Sequence, residues 1–240
     1  MKASILLIST NKYNSFLKPC IDSINKFFCK DLEKQFIIFS DDETVIKQFD
    51  NSFFYPIKHD VWPFITLKRY EIFKAAYEKI KDSDIVIYFD VDLEVVREVN
   101  LDFSNIDIFG VQHPGIYREA NFWPIETDQK STACLNRFDL YTYHQGCLWG
   151  AKKDEFFKLN DTLSENVNKD FKNNIVAIWH DESHLNKYFY DNRQKISTLS
   201  SSFCYPENWN LPFEKIIIHK DKSMKEYPRF EGINQNGKNH

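Results

Sequence analysis

Five consecutive apolar residues, Ile85-Val86-Ile87-Tyr88-Phe89, run straight into Asp90-Val91-Asp92. Two shorter runs upstream behave the same way: Ile5-Leu6-Leu7-Ile8-Ser9 gives way to Thr10-Asn11-Lys12, and Phe36-Ile37-Ile38-Phe39 to Ser40-Asp41-Asp42. Apolar runs of this length, cut off by polar residues, are strands buried on both faces. Between the first two, Phe16, Leu17, Cys20, Ile21, Ile24, Phe27 and Phe28 recur at helical spacing, with Pro19 near the first turn, where it is tolerated. Thr66, Tyr70, Phe73, Ala76, Tyr77 and Ile80 mark a second amphipathic helix, with Arg69 bordering its apolar stripe. Two strand–helix alternations followed by a third strand imply an α/β fold with a parallel sheet and helical crossovers. Such sheets collect ligands at the carboxyl ends of their strands, where Asp90 and Asp92 fall.

The pattern loosens after this point. Residues 106–111 read as a strand leading to the turn His113-Pro114-Gly115, and residues 118–140 as a long loop of the kind that binds something. Gly146 and Gly150 bracket the short apolar stretch Cys147-Leu148-Trp149. Residues 156–171 suggest a surface helix and Ile216-Ile217-Ile218 a late strand, and the charged stretch from Lys220 ends in a mobile Gly-, Asn- and Lys-containing tail. No repeat or linker interrupts the 240 residues, and a chain of this length supports one sizeable domain.

Composition excludes several functions. A net charge of −4 argues against nucleic-acid binding by bulk electrostatics. Six glycines, without a GxGxxG or GxxxxGK[ST] pattern, leave no glycine-rich phosphate cradle. Five widely spaced cysteines without a CxxC pair indicate neither a zinc knuckle nor a disulfide framework. The start at Met1 lacks a signal-peptide profile, and the run Ile5 to Ile8 is too short to span a membrane, so the expected setting is cytoplasmic, without a transmembrane anchor.

Residues two apart at a strand end point the same way, so Asp90 and Asp92 can face one ligand across roughly 6–7 Å of backbone rise. Hard oxygen ligands of this kind suit magnesium or manganese, which would hold a diphosphate. The glycine and terminal glutamate of an EF-hand do not follow. A second concentration of chemistry is Trp179-His180-Asp181-Glu182-Ser183-His184, opening a helix whose Leu185, Tyr188 and Phe189 recur at helical spacing. The plain reading is that Asp181 caps this helix and Glu182 favours its positive end. His180 and His184 lie four apart, but their order matches neither HExxH nor HxxEH.

The block from Trp179 through Phe189 resembles the signature of glycosyltransferase family 6. Supporting segments occur in order: Thr66-Leu67-Lys68-Arg69, Phe89-Asp90-Val91-Asp92, His113-Pro114-Gly115-Ile116-Tyr117, Ser131-Thr132-Ala133 and Lys225-Glu226-Tyr227. The resemblance implies a single GT-A domain over residues 1–228, with a central mixed, mainly parallel sheet flanked by helices, and a tail over 229–240. It implies a retaining transferase that moves galactose or N-acetylgalactosamine from a UDP-sugar to a galactose-terminated oligosaccharide or glycolipid through an α-1,3 bond. A lipid-linked acceptor would bring the protein to the inner membrane face as a peripheral enzyme.

By matching positions, Ile8, Ser9 and Tyr13 would line the uridine pocket, with Val91 also against the donor. Arg69 and Lys225 would neutralise the diphosphate, and Asp90 with Asp92 would hold Mn2+ or Mg2+. Asp181 would bind donor hydroxyls, and His113 and Trp179 would contact the acceptor. Glu182 would act at the anomeric carbon, facing donor and acceptor alike, as a nucleophile or as the stabiliser of an ion pair. His144, Gln145 and Gly146 match the positions that tune donor choice: His144 resembles the galactose-using enzymes and could occupy the space beside Gly146, while the volume left by Gly146 favours N-acetylgalactosamine. The family's Tyr-Glu-Arg-Arg segment is replaced here by Trp123-Pro124-Ile125-Glu126-Thr127. Two other classes stay open: a UDP-sugar-binding or UDP-sugar-hydrolysing protein, and a zinc hydrolase using His180 and His184.

Overall fold

The computed structural model describes residues 1–118, 124–136 and 142–222. Strand β1 (Lys2–Ser9), helix α1 (Asn14–Phe27), β2 (Glu33–Ser40) and β3 (Ser52–Pro56) lead into three short helices, α2 (Phe64–Leu67), α3 (Arg69–Lys74) and α4 (Tyr77–Ile80). Next come β4 (Ile85–Asp90), β5 (Leu93–Val95), β6 (Ile108–Gln112), β7 (His144–Lys152), α5 (Lys153–Lys172) and α6 (His180–Asp191). The strands β8 (Ile196–Leu199), β9 (Tyr205–Pro206) and β10 (Ile217–His219) complete the described chain.

Seven strands form the main sheet in the order β3-β2-β1-β4-β7-β6-β8. The first four are mutually parallel, β7 is antiparallel to both of its neighbours, and β6 and β8 are parallel. This is the mixed, mainly parallel sheet of a GT-A fold. Alternate residues of the buried strands divide between two cores. Ile5, Leu7, Ile87 and Phe89 face Leu17, Ile21 and Ile24 of α1, while Leu6, Val86 and Tyr88 face Tyr70, Phe73, Phe156 and Leu163 of α3 and α5. A smaller sheet, β5-β10-β9, carries the end of β10 to the Asp92 region, with His219 paired to Leu93.

Three local expectations change. The helix expected over residues 66–80 is interrupted at Lys68 and at Ala75-Ala76, where i→i+3 bonds such as Glu71 N–H to Lys68 C=O tighten the turns. The break at Lys68 turns Arg69 inward, so it is 3% exposed instead of bordering a stripe. The Gly146–Gly150 stretch lies inside a nine-residue strand. Gly150 is there because a Cβ would come within 2.8 Å of the Val86 carbonyl oxygen and 2.5 Å of the Phe109 ring. Finally, the helix expected over 156–171 begins at Lys153 and buries Phe156, Leu159, Leu163 and Val167 against the sheet.

β7 enters the sheet at the edge where β1 and β4 end. Ile8 pairs with Asp90, Phe89 pairs with Leu148, and His144 pairs with Gln112 at the end of β6. The β6–β7 register jumps from Gly110↔Trp149 to Val111↔Gln145, so residues 146–148 bulge out of that ladder. Among the described residues, no helix is long and apolar enough to cross a membrane.

Candidate active site

The carboxyl ends of β1 and β4, the bulged start of β7 and the N-terminus of α6 enclose a cleft of about 440 Å³. Of the residues singled out from the sequence, Ile8, Tyr13, Arg69, Asp90, Val91, Asp92, Gly146, Trp179, Asp181 and Glu182 line it.

Ser9, His113 and His144 lie behind its wall. The Ser9 hydroxyl donates to Asn14 Oδ1 at 2.7 Å. His113 Nδ1 accepts the Gly115 N–H at 2.9 Å, which fixes the turn, and its ring stands against Tyr143. Burial lowers its pKa to about 4, with His219 adding to the effect. His144 Nε2 meets Thr198 Oγ1 at 2.8 Å, and its ring packs edge-on to Phe189, so it does not enter the space beside Gly146. Lys225, Glu226, Tyr227 and Trp123, with the tail 229–240, fall outside the described residues.

Arg69 organises one side of the cleft. Its Nη1 donates to the Gly146 carbonyl at 2.9 Å and lies 3.2 Å from Asp181 Oδ2, and its Nη2 lies 3.6 Å from Asp90 Oδ1. The guanidinium also rests 4.5 Å from the centre of the Tyr88 ring. Burial opposes its charge, but Asp181 and the surrounding oxygens outweigh that and hold it firmly protonated. Asp181 occupies the first turn of α6, yet its carboxylate goes to Arg69, and the Tyr70 hydroxyl donates to its backbone carbonyl at 3.0 Å. The N-cap residue is Trp179, whose N–H donates to Ser183 Oγ at 3.0 Å. Helix capping therefore does not account for Asp181.

Glu182 Oε2 accepts the Gly146 N–H at 2.7 Å, so the bulge at Gly146 spends one backbone group on Arg69 and the other on Glu182. The carboxyl opens toward the cleft and is otherwise enclosed. Burial raises its pKa to about 7, against the opposing pull of the Gly146 N–H, with Tyr143 and Asp181 beside it. His180, between Trp179 and Asp181, has φ 55°, a left-handed conformation costly for a side chain of this size. Its ring packs edge-on to Trp62 at 4.6 Å. The two carboxylates that follow it, Asp181 and Glu182, line the cleft.

Asp90, Asp92 and His219 place one ligand atom each within 4.8 Å of one another. Two carboxylates and an imidazole are an oxygen-rich set with one borderline nitrogen, which fits manganese. Asp92 Oδ2 meets His219 Nε2 at 3.3 Å and also the Lys222 ammonium. Burial disfavours ionisation of Asp92, but these two cations outweigh it and hold its pKa low. Asp90 is raised, chiefly by burial, with Arg69 opposing and Asp92 reinforcing.

Gln145, singled out with Gly146, also lines the cleft, whereas sequence reasoning missed His219, Lys222 and the wall formed by His59, Asp60, Val61 and Trp62. The signal for His219 was its place directly after the apolar run 216–218, another strand end.

Comparison with known proteins places the chain among glycosyltransferases. The chain is 27% identical over 230 residues to the O-antigen biosynthesis glycosyltransferase WbnI of Escherichia coli, covering 95% of this chain and 97% of that one. It is 31% identical over 130 residues to histo-blood group ABO system transferase 1 of Rattus norvegicus, covering 53% of this chain and 37% of that one. With globoside alpha-1,3-N-acetylgalactosaminyltransferase 1 of Mus musculus it shares 23% identity over 193 residues, 77% of this chain and 56% of that protein. Residues 3–229 match the family described as Glycosyltransferase family 6. A glycosyltransferase that joins a nucleotide-sugar donor to a glycan acceptor is what such a cleft serves, and the chain belongs to glycosyltransferase family 6.

Proposed function

We propose that this protein transfers N-acetylgalactosamine or galactose from a UDP-sugar to a galactose-terminated oligosaccharide or glycolipid, forming an α-1,3 bond with retention at the anomeric carbon. The observation that carries the reading is the convergence of the Asp90–Asp92–His219 set, the Arg69–Asp181 clamp and Glu182 in one cleft. The family match over residues 3–229 supports treating residues 1–228 as one catalytic domain. The bacterial relative favours a cytoplasmic enzyme, working at the inner membrane face when its acceptor is lipid-linked.

In this reading Ile8 and Tyr13 flank the uridine, Val91 lies against the donor, and Asp90, Asp92 and His219 hold Mn2+ or Mg2+. When bound, such an ion would supply positive charge beside a diphosphate leaving group. Arg69 adds a fixed cation on the same side. Asp181, immobilised by Arg69, orients donor hydroxyls. Glu182 presents an ionised carboxylate to the anomeric carbon, either bonding to it or steadying an ion pair while the acceptor hydroxyl attacks from the same face. Trp179 offers an indole face to the acceptor sugar, with His113 supporting that side through Tyr143.

N-acetylgalactosamine is the favoured donor. A Cβ at position 146 would lie 3.4 Å from Asp181 Oδ2 and 3.5 Å from Glu182 Oε2, so glycine keeps open a space between the two sugar-facing carboxylates. The deciding experiment compares UDP-galactose with UDP-N-acetylgalactosamine on a galactose-terminated acceptor, each with manganese and with excess chelator. Faster transfer from UDP-N-acetylgalactosamine, abolished by chelator, is expected. Free sugar as the sole product would replace transfer with hydrolysis, and full turnover in chelator would remove the metal.

A further inference from the structure

Asp92 is the most heavily neutralised carboxylate in the cleft. Its side chain is 2% exposed, and its Oδ2 faces both His219 Nε2 and the Lys222 ammonium. Lys222 follows β10 closely and lies 5.1 Å from the centre of the Tyr13 ring, so a carboxylate and an aromatic face hold the same ammonium. The carboxylate it occupies belongs to the cluster that Asp90, Asp92 and His219 form. A divalent ion arriving there must share that carboxylate with a fixed positive charge or displace it, and two cations on one carboxylate repel.

We propose that Lys222 is a tethered competitor for the divalent cation. It satisfies Asp92 while the donor site is empty, and it yields Asp92 when a nucleoside diphosphate supplies phosphate oxygens that the ammonium can take instead. Metal and nucleotide then bind cooperatively, because each removes an obstacle to the other, and the coupling is reciprocal. This inference rests on the metal-binding reading of Asp90, Asp92 and His219.

The test is Mn2+ binding to the whole protein, followed by the electron paramagnetic resonance signal of free Mn2+, with and without UDP. The proteins compared are wild type, Lys222→Met, which keeps the apolar stem over Tyr13, and Lys222→Arg, which keeps the charge. Without UDP, Lys222→Met is expected to bind Mn2+ about tenfold more tightly than wild type, a change in line with removing one close charge from a mostly enclosed site. Lys222→Arg should remain near wild type, and the gain in Mn2+ affinity on adding UDP should shrink in Lys222→Met alone. Equal affinity of wild type and Lys222→Met, or an undiminished UDP effect, overturns the competitor role and leaves the metal site standing. Failure of every protein to bind Mn2+, even with UDP, overturns both.

Discussion

Replacing Glu182 with Gln should make the protein more stable and far less active, and the gain should depend on pH. The carboxyl has an ordinary pKa of 4.5, raised to about 7 in the fold by burial. As pH rises from 4.5, the unfolded chain loses this proton before the folded one does, so the native state is penalised. Wild-type stability therefore declines through that window and levels off above about pH 7. The full shift corresponds to about 3 kcal/mol, and screening by water on the open side of the carboxyl brings this to about 2 kcal/mol. Glutamine keeps the shape and an oxygen for the Gly146 N–H, and it carries no charge to desolvate. For a domain of this size, thermal unfolding of the ligand-free variant should shift upward by roughly 4–8 °C at pH 8 and by almost nothing at pH 4.5. Initial rates with saturating donor should fall by orders of magnitude. Wild-type kcat/KM should rise with pH to a plateau above about 7, because the ionised carboxylate is the working form. A Glu182→Gln protein no more stable than wild type at pH 8, or one that keeps most of its turnover, would refute the reasoning from its buried charge.

Arg69→Met should cost about 3–5 kcal/mol in a denaturant titration, because Asp181 and the Gly146 carbonyl lose their shared buried partner. Arg69→Lys should recover little of it, since an ammonium cannot reach three acceptors in the plane a guanidinium does. A Gly146→Ala protein should fold normally, because its Cβ meets only ordinary contacts at 3.4–3.5 Å, yet its rate with UDP-N-acetylgalactosamine should fall relative to UDP-galactose. An unchanged donor ratio would remove position 146 from donor selection. His219→Ala should weaken Mn2+ binding in the presence of UDP by about tenfold, on the scale of losing a ligand or its close support, as read by the same resonance assay.

The parallel half of the fold was legible because its strands are fully apolar and stop at polar residues, as Phe89-Asp90 and Phe39-Ser40 do. β7 was obscured because its glycines leave only three apolar residues between them, when Gly150 permits close packing on β4. β10 was legible from Ile216-Ile217-Ile218, but β5, β8 and β9 carry too few residues for periodicity to register. Glu182 and Asp181 could be placed on a helix start from spacing alone. Their roles depend on what meets them from afar: Arg69 lies 112 positions before Asp181, and nothing local to either residue announces that pairing. Lys222 was invisible for the same reason, since a lysine in a charged stretch reads as solvated until Asp92 is seen beneath it.

The pairing of Gln112 with His144 gives the molecule a seam. The chain leaves the sheet at one of these residues and returns at the other, so the intervening residues 113–143 hang from a closed ladder rung. Arg69, Asp90, Asp92, Asp181, Glu182, His219 and Lys222 all come from outside that segment. Changing its length costs little closure entropy, which grows only slowly with the number of residues. The segment can therefore be exchanged as a cassette, provided that Tyr143 at its base, the Glu126 bond to the Ile178 N–H and the bonds of Ser131 and Thr132 to Asp170 are preserved. A recipient scaffold would keep its cleft intact, because among the described residues none of the side chains lining it comes from that segment.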